Sequence, residues 1–251
     1  MLTTRRKGQV LVVAALAIAL TILTTQAYVY ELNNMKISSE HSLLSDYVLG
    51  IMQESRHVVT ASLVNVSRGG TSSNFEANLE RWEVFVAGDY SLGRCDLNAT
   101  PTSSPSYSDG IWLYWGTNGS GVSSAYADFA LNLSGREVEV DWSFTVNVTS
   151  RVEVSGSYDD LGDNSKEVSV SVNLENEGAP ALAGFIVLEY LKSGSWEDPR
   201  NFGNCTELDC GDGTYRYTFI DTIPGTFVRV RVQVYDLRGV FVEAEASLPS
   251  G

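Results

Sequence analysis

Histidine and cysteine, the side chains most often used for metal and redox chemistry, are scarce in this chain. There are two of the first and three of the second among 251 residues. Cys205 and Cys210, five apart, could close a small disulfide loop in an oxidising exterior, leaving Cys95 over; equally, all three could be small unpaired side chains. His41 and His57 lie in a different segment from the cysteines, so no metal and no cofactor are expected. No phosphate-binding Gly-Lys-Ser/Thr loop, Gly-x-Ser-x-Gly elbow or paired Cys-x-x-Cys occurs, and an enzyme is not expected.

Positive charge is also in short supply. Lys and Arg number 17 against 31 Asp and Glu, a formal charge of -14. Three of the cations, Arg5, Arg6 and Lys7, cluster at the start, so the rest of the chain carries 14 against 31, a formal -17. Such a surface repels nucleic acid, which is excluded as a partner. Hydrophobic residues make up 43% of the chain, which is ordinary for a folded protein and argues against wholesale disorder.

What is present begins with Gln9 to Tyr30, a stretch without a charged side chain behind the Arg5-Arg6-Lys7-Gly8 leader. As a helix it would be roughly 33 Å long, about the ~30 Å hydrocarbon thickness of a bilayer. The basic flank predicts a single pass with the N-terminus cytoplasmic and the bulk of the chain outside. Three processing routes fit. A cleaved secretory peptide would use the apolar core Val10 to Leu23 and a site near Thr25-Gln26-Ala27, and an uncleaved anchor needs only length and flanking charge.

The third route rests on the basic leader ending in Gly8, followed by polar Gln9 and a long apolar helix. This arrangement resembles the class III signal peptide of archaeal type IV pilin-like surface proteins. The resemblance implies cleavage by a prepilin peptidase between Gly8 and Gln9, and packing of residues 9–30 into a filament core. At the fifth mature position, where bacterial pilins carry Glu, this chain has Val13. Six Asn-x-Ser/Thr sequons, at Asn65, Asn98, Asn118, Asn132, Asn147 and Asn204, all follow the apolar segment and are candidate glycosylation sites of an exported glycoprotein.

Beyond Tyr30, Leu44, Val48, Ile51, Val58 or Val59, Leu63 and Val66 recur at three- and four-residue steps, an amphipathic helix with Ser55 and Ser62 on the apolar face. Unbroken from Gln9 to Val66, such a helix would be about 87 Å long. Gly69-Gly70 ends it, and a second helix is predicted over Asn74–Ala87 from Phe75, Leu79, Trp82 and Val86. The remainder reads as strand. Leu97 to Asp109 looks like a surface loop, Ile111–Trp115 an aromatic strand, and Tyr126–Leu133 a strand with one apolar side.

Val138, Val140, Trp142, Phe144, Val146 and Val148 then alternate with polar residues, and the parity continues at Val152 and Val154. That pattern is either one very long strand or two joined by a bulge. Strands are further predicted at Lys166–Leu174, Gly184–Lys192, Thr214–Asp221, Phe227–Tyr235 and Val240–Leu248, separated by Asp-, Asn-, Gly- and Pro-containing turns. Val168 to Pro180 and the hairpins after it look like the Ig-like modules of prokaryotic surfaces, without the Cys…Trp…Cys spacing of immunoglobulin domains.

The expected fold class is α+β: a long N-terminal membrane/stalk helix, a small α+β module, then an antiparallel Ig-like β-sandwich. The expected divisions are a basic leader 1–8, a transmembrane or filament-core helix 9–30, an amphipathic helix 31–68, a head module 69–148 and a sandwich 149–251. Three clusters invite a chemical reading. Glu54 and His57 form one half of a di-iron spacing, which needs two copies. Asp159, Asp160, Asp163 and Asn164, and also Asp209 and Asp212, offer oxygens to calcium, but more often such residues serve as turns. Trp112, Tyr114 and Trp115 could stack sugars, but a wedge between the second helix and a sheet is the stronger expectation. The expected function is a membrane-anchored extracellular surface protein, a pilin-like filament subunit or adhesion/envelope component. Its partners would be the membrane, other copies through residues 9–30, and a cell-surface or polymer partner. The rival expectation is a monomeric signal-anchored binding module.

Overall fold

A computed structural model of the chain describes the backbone over residues 3–90, 93–135 and 139–251, with side chains over 20–31 and from residue 44 onward outside those gaps. Two helices, α1 (Thr3–Ser67) and α2 (Ser73–Asp89), come first. The strands of the first half are β1 (Gly93–Pro101), β2 (Ile111–Trp115), β3 (Ser120–Gly135), β4 (Glu139–Gly162), β5 (Ser165–Asn176) and β6 (Ala179–Pro180). Then follow β7 (Ala183–Lys192), β8 (Ser195–Glu197), β9 (Cys205–Asp209), β10 (Thr214–Thr222), β11 (Val228–Asp236) and β12 (Phe241–Leu248). The chain divides into two compact units, Met1–Met52 and Gln53–Gly251.

The second unit is organised by β4. Its period-two alternation keeps one face mostly apolar from Val140 to Val154, with buried Ser150 the exception, so a single strand serves two layers in turn. It pairs antiparallel with β3 from Glu139 to Glu153 and with β5 from Ser150 to Gly162. The resulting eight-stranded sheet runs β1-β3-β4-β5-β10-β9, with β2 also on β3 and β6 on β5. A four-stranded sheet, β12-β11-β7-β8, faces its second half. Between the two lies a core of alternating residues: Val152 and Val154 of β4, Val168 to Leu174 of β5, Tyr217 and Phe219 of β10, and Val228 to Val234 of β11. Sheet-on-sheet packing of this kind buries one face of every strand and leaves the other wet.

The first half of the large sheet is covered by helix instead. Phe75, Leu79 and Val86 of α2 and Val59, Leu63 and Val66 of α1 are buried, as are Cys95, Leu97, Leu131 and Leu133 of the strands. The two helices meet where α1 is small. The Trp82 indole N–H donates to Ser55 Oγ at 2.9 Å, and the Asn78 amide donates to Ser62 Oγ at 3.0 Å, both serines being fully buried. β1 occupies part of the expected loop. Its Cys95, Leu97 and Ala99 alternate inward, a pattern hidden in the sequence by the Asn, Thr and Pro residues around them.

The expected fold class is therefore corrected. Among the described residues antiparallel strand is the main structure and dominates the chain from Gly93 onward, which makes it a mainly antiparallel β protein rather than α+β. A head module and a separate sandwich do not follow one another, because β4 runs through positions 148 and 149 and joins both halves in one sheet. Over the described residues no helix is long and apolar enough to cross a membrane, so the expected membrane-spanning helix is corrected too. Within residues 9–30 side chains are described from Leu20 on, and polar Thr21, Thr24, Thr25 and Gln26 break the apolar run there. A sandwich of antiparallel sheets, the coarser part of the Ig-like expectation, agrees with the structure.

Candidate interaction surfaces

In the first unit, the described side chains of α1 between Leu20 and Glu31 are exposed all round. Leu20 is 61% exposed, Leu23 63% and Tyr30 70%, values that leave large apolar groups in water on every side of the helix. Thr24 and Thr25 do not interrupt the backbone, since each hydroxyl donates to a carbonyl one turn back, Leu20 O at 3.0 Å and Thr21 O at 2.7 Å. Gly8 and Gln9 lie outside the residues whose side chains are described.

In the second unit, the face of β1, β3 and β4 opposite the helices carries no covering layer among the described residues. It presents Asp96, Asn98, Thr100, Asp128, Asn132, Asp141, Ser143, Thr145 and Asn147, and so brings three sequons, Asn98, Asn132 and Asn147, onto one surface. Asn98 and Asn147 are exposed. Asn132 is half-buried and donates to Asp141 Oδ1 at 2.6 Å. The other sequons lie apart: Asn65 on α1, its side-chain Oδ1 accepting from Asn74 Nδ2 at 2.8 Å, Asn118 in the β2–β3 turn, and Asn204 before β9. Asn65, Asn118 and Asn204 are all exposed.

The aromatic strand is not wedged under α2 as expected. β2 lies beside β3, where Trp115 meets Phe241 edge-on at 5.0 Å and donates to Ser123 Oγ at 3.2 Å. Trp112 packs against Tyr107, and Leu113, Tyr114 and Trp115 each keep about two-fifths of their surface in water. The strip is thus half core and half surface.

The acidic clusters resolve into turns. Asp160 accepts from Gly162 N at 2.9 Å in the β4–β5 hairpin, where Asp163 and Asn164 hold positive φ, the left-handed conformation that Asp and Asn tolerate best. Asp209 and Asp212 accept from Gly211 N and Thr214 N. Glu54 and His57 stand 3.4 Å apart on the exposed side of α1. Cys205 opens β9 and Cys210 follows it, both thiols unpaired. The expected bridge between them is corrected, because the extended strand from 205 to 209 alone spans about 13 Å, beyond the ~7 Å Cα separation a disulfide bridges. Burial raises the Cys205 thiol above its ordinary pKa, helped by the nearby Glu207 carboxylate.

Further polar clusters join side chains that the sequence did not single out, some of them neighbours along the chain and others far apart. Asp236, 2% exposed, accepts from Arg238 N and Val240 N, both at 2.9 Å, and from Arg238 Nε at 2.8 Å. Arg238 continues to Glu177, which also meets Arg56 of α1 at 3.2 Å, and Arg68 reaches Gly239 O at 2.7 Å. This chain of charges ties the end of α1 to the β11–β12 turn. Elsewhere, burial pushes the Asp221 carboxyl upward, but hydrogen bonds from Lys192 and Tyr190 outweigh it and hold the group below the ordinary carboxylate value. Burial, with Asp221 beside it, pushes the Tyr190 phenol well above its usual value. Asp198 is likewise lowered, Arg200 overcoming its burial.

These contacts hold turns, strands and helix ends in place. No protein-family model matches the chain, and no curated protein matches it significantly.

Proposed function

We propose that the chain is a non-enzymatic, exported surface protein of the pilin-like kind, assembled into a filament through residues 9–30 after cleavage between Gly8 and Gln9. The observation that carries this reading is the apolar surface of α1 from Leu20 to Tyr30, uncovered on all sides of the helix. At about 25 cal/mol per Å² of apolar surface removed from water, a helix so clad gains most by packing against copies of itself. The Arg-Arg-Lys-Gly leader and the net charge of -14 support it, since one offers a peptidase site and the other suits solubility outside the cell. The β-sandwich would be the displayed part, and the six sequons would carry its glycans.

A monomeric binding module is the second reading, favoured by the half-exposed Tyr114 and Trp115, which offer rings for stacking a ligand or surface polymer. Mass spectrometry of the native N-terminus separates the two. The filament reading expects a chain starting at Gln9, and Gly8→Val should abolish both that cleavage and filaments in electron micrographs. A native chain still carrying Met1, or normal maturation of Gly8→Val, would overturn it.

A further inference from the structure

Most strand edges of the second unit are guarded. β1 has Glu83 of α2 accepting from Ala99 N at 2.5 Å, and β12 exchanges bonds with the β2–β3 turn, Gly119 N donating to Glu245 O and Glu245 N to Gly116 O. β9 is only five residues long. β4 differs. From Glu139 to Val148 it pairs with β3 on one side only; at Thr149 the outward backbone N–H and carbonyl are taken by Glu177, and β5 begins at Ser150. Among the described residues nothing else pairs with this edge. It contains no Pro, Gly, Lys or Arg, the residues that ordinarily blunt an exposed edge. Trp142, 49% exposed, and Phe144, stacked on Phe129 at 4.9 Å, line its apolar side.

We propose that residues 140–148 of β4 pair, antiparallel and edge to edge, with the same residues of a second copy of this chain, about a two-fold axis at Phe144. The segment is self-complementary in that register. Opposed residues share a face, so Phe144 meets its own counterpart and Trp142 meets Val146. On the polar face Ser143 meets Thr145, and the carboxylate of Asp141 meets Asn147. No like charges are opposed, which is notable in so acidic a chain and is what selects a second copy as the occupant. The pairing extends the large sheet across two molecules by roughly 30 Å of strand and gives the free backbone groups partners. It does not depend on the apolar helix. In filaments built through that helix it would join one filament to another.

The test uses the full chain in detergent, which disperses helix-driven assemblies, with sedimentation velocity as the readout. Wild type should show a monomer–dimer equilibrium. Ser143 and Thr145 are exposed, so the double variant S143K/T145K should keep its circular dichroism while opposing Lys to Lys twice, weakening the dimer roughly tenfold or more. The partner variant S143E/T145E should fail alike alone, and an equimolar mixture of the two should regain the wild-type dimer. A strictly monomeric wild type, a dimer indifferent to both variants, or a mixture no better than either alone would overturn the proposal. So would a wild-type monomer that co-purifies with an unrelated extended peptide bound at this edge. Failure here leaves Gly8–Gln9 cleavage untouched, so the two readings fall separately.

Discussion

Single side chains decide more here than their spacing suggests. Asp236 is a buried carboxylate holding three N–H donors of the β11–β12 turn, and each charged hydrogen bond in such a place is worth ~1.5–3 kcal/mol. Asp236→Ala leaves Arg238 without one of its two carboxylate partners and should lower unfolding stability by about 3 kcal/mol, measured by urea denaturation. Asp198 and Asp221 titrate below their unfolded values, so their stabilisation is full above the ordinary carboxylate pKa of about 4 and is lost as pH falls through the folded values. Tyr190 is raised, so its contribution is present below about pH 10 and drains away as pH climbs beyond it. Urea midpoints should therefore fall on both flanks, and Asp221→Asn should flatten the acid side. The partners of Asp221 were not legible in the sequence, because Lys192 and Tyr190 approach it only once β7 and β10 lie in facing sheets.

Among elements, the joint between α1 and α2 is the most sensitive. Ser55 and Ser62 leave room for Trp82 and Asn78, which fill the space and bond back. Ser62→Leu removes one such bond and forces a larger group into a fully buried site, at a cost of about 2–3 kcal/mol. A thermal melt should show the loss, and Ser62→Ala should lose less than half as much. The helix face carrying these serines was readable from the three- and four-residue recurrence of its apolar neighbours; which residues they bond was not. The strands followed the same rule. β2, β5, β10 and β12 announced themselves through alternation or aromatic runs. β1 and β9 did not, because a strand whose buried face is Cys, Leu and Ala, or that sits at an edge among Glu and Asp, lacks the β-branched signal that pattern reading depends on.

For the whole molecule, the uncovered helix and the unpaired β4 edge offer two separate routes to assembly, one driven by apolar area and the other by backbone pairing. A charge in the first route should act on assembly alone. Ile22→Lys with Leu23→Lys places two cations on the exposed helix, and electron microscopy should find no filaments while the sandwich keeps its wild-type urea midpoint. If the filaments persist, residues 9–30 do not form their core.

The sequence by itself determined where apolar and polar residues alternate, where turns fall, and that a short basic leader precedes an otherwise acidic chain. These are properties of neighbours along the chain, set by backbone period and side-chain type. Only the tertiary structure decided that β4 is one strand shared by both halves, that Cys205 and Cys210 are held apart, that three sequons share a face, and which edge stays open. Each of those depends on which strands lie side by side, and pairing joins residues far apart in sequence through hydrogen bonds that every backbone can make.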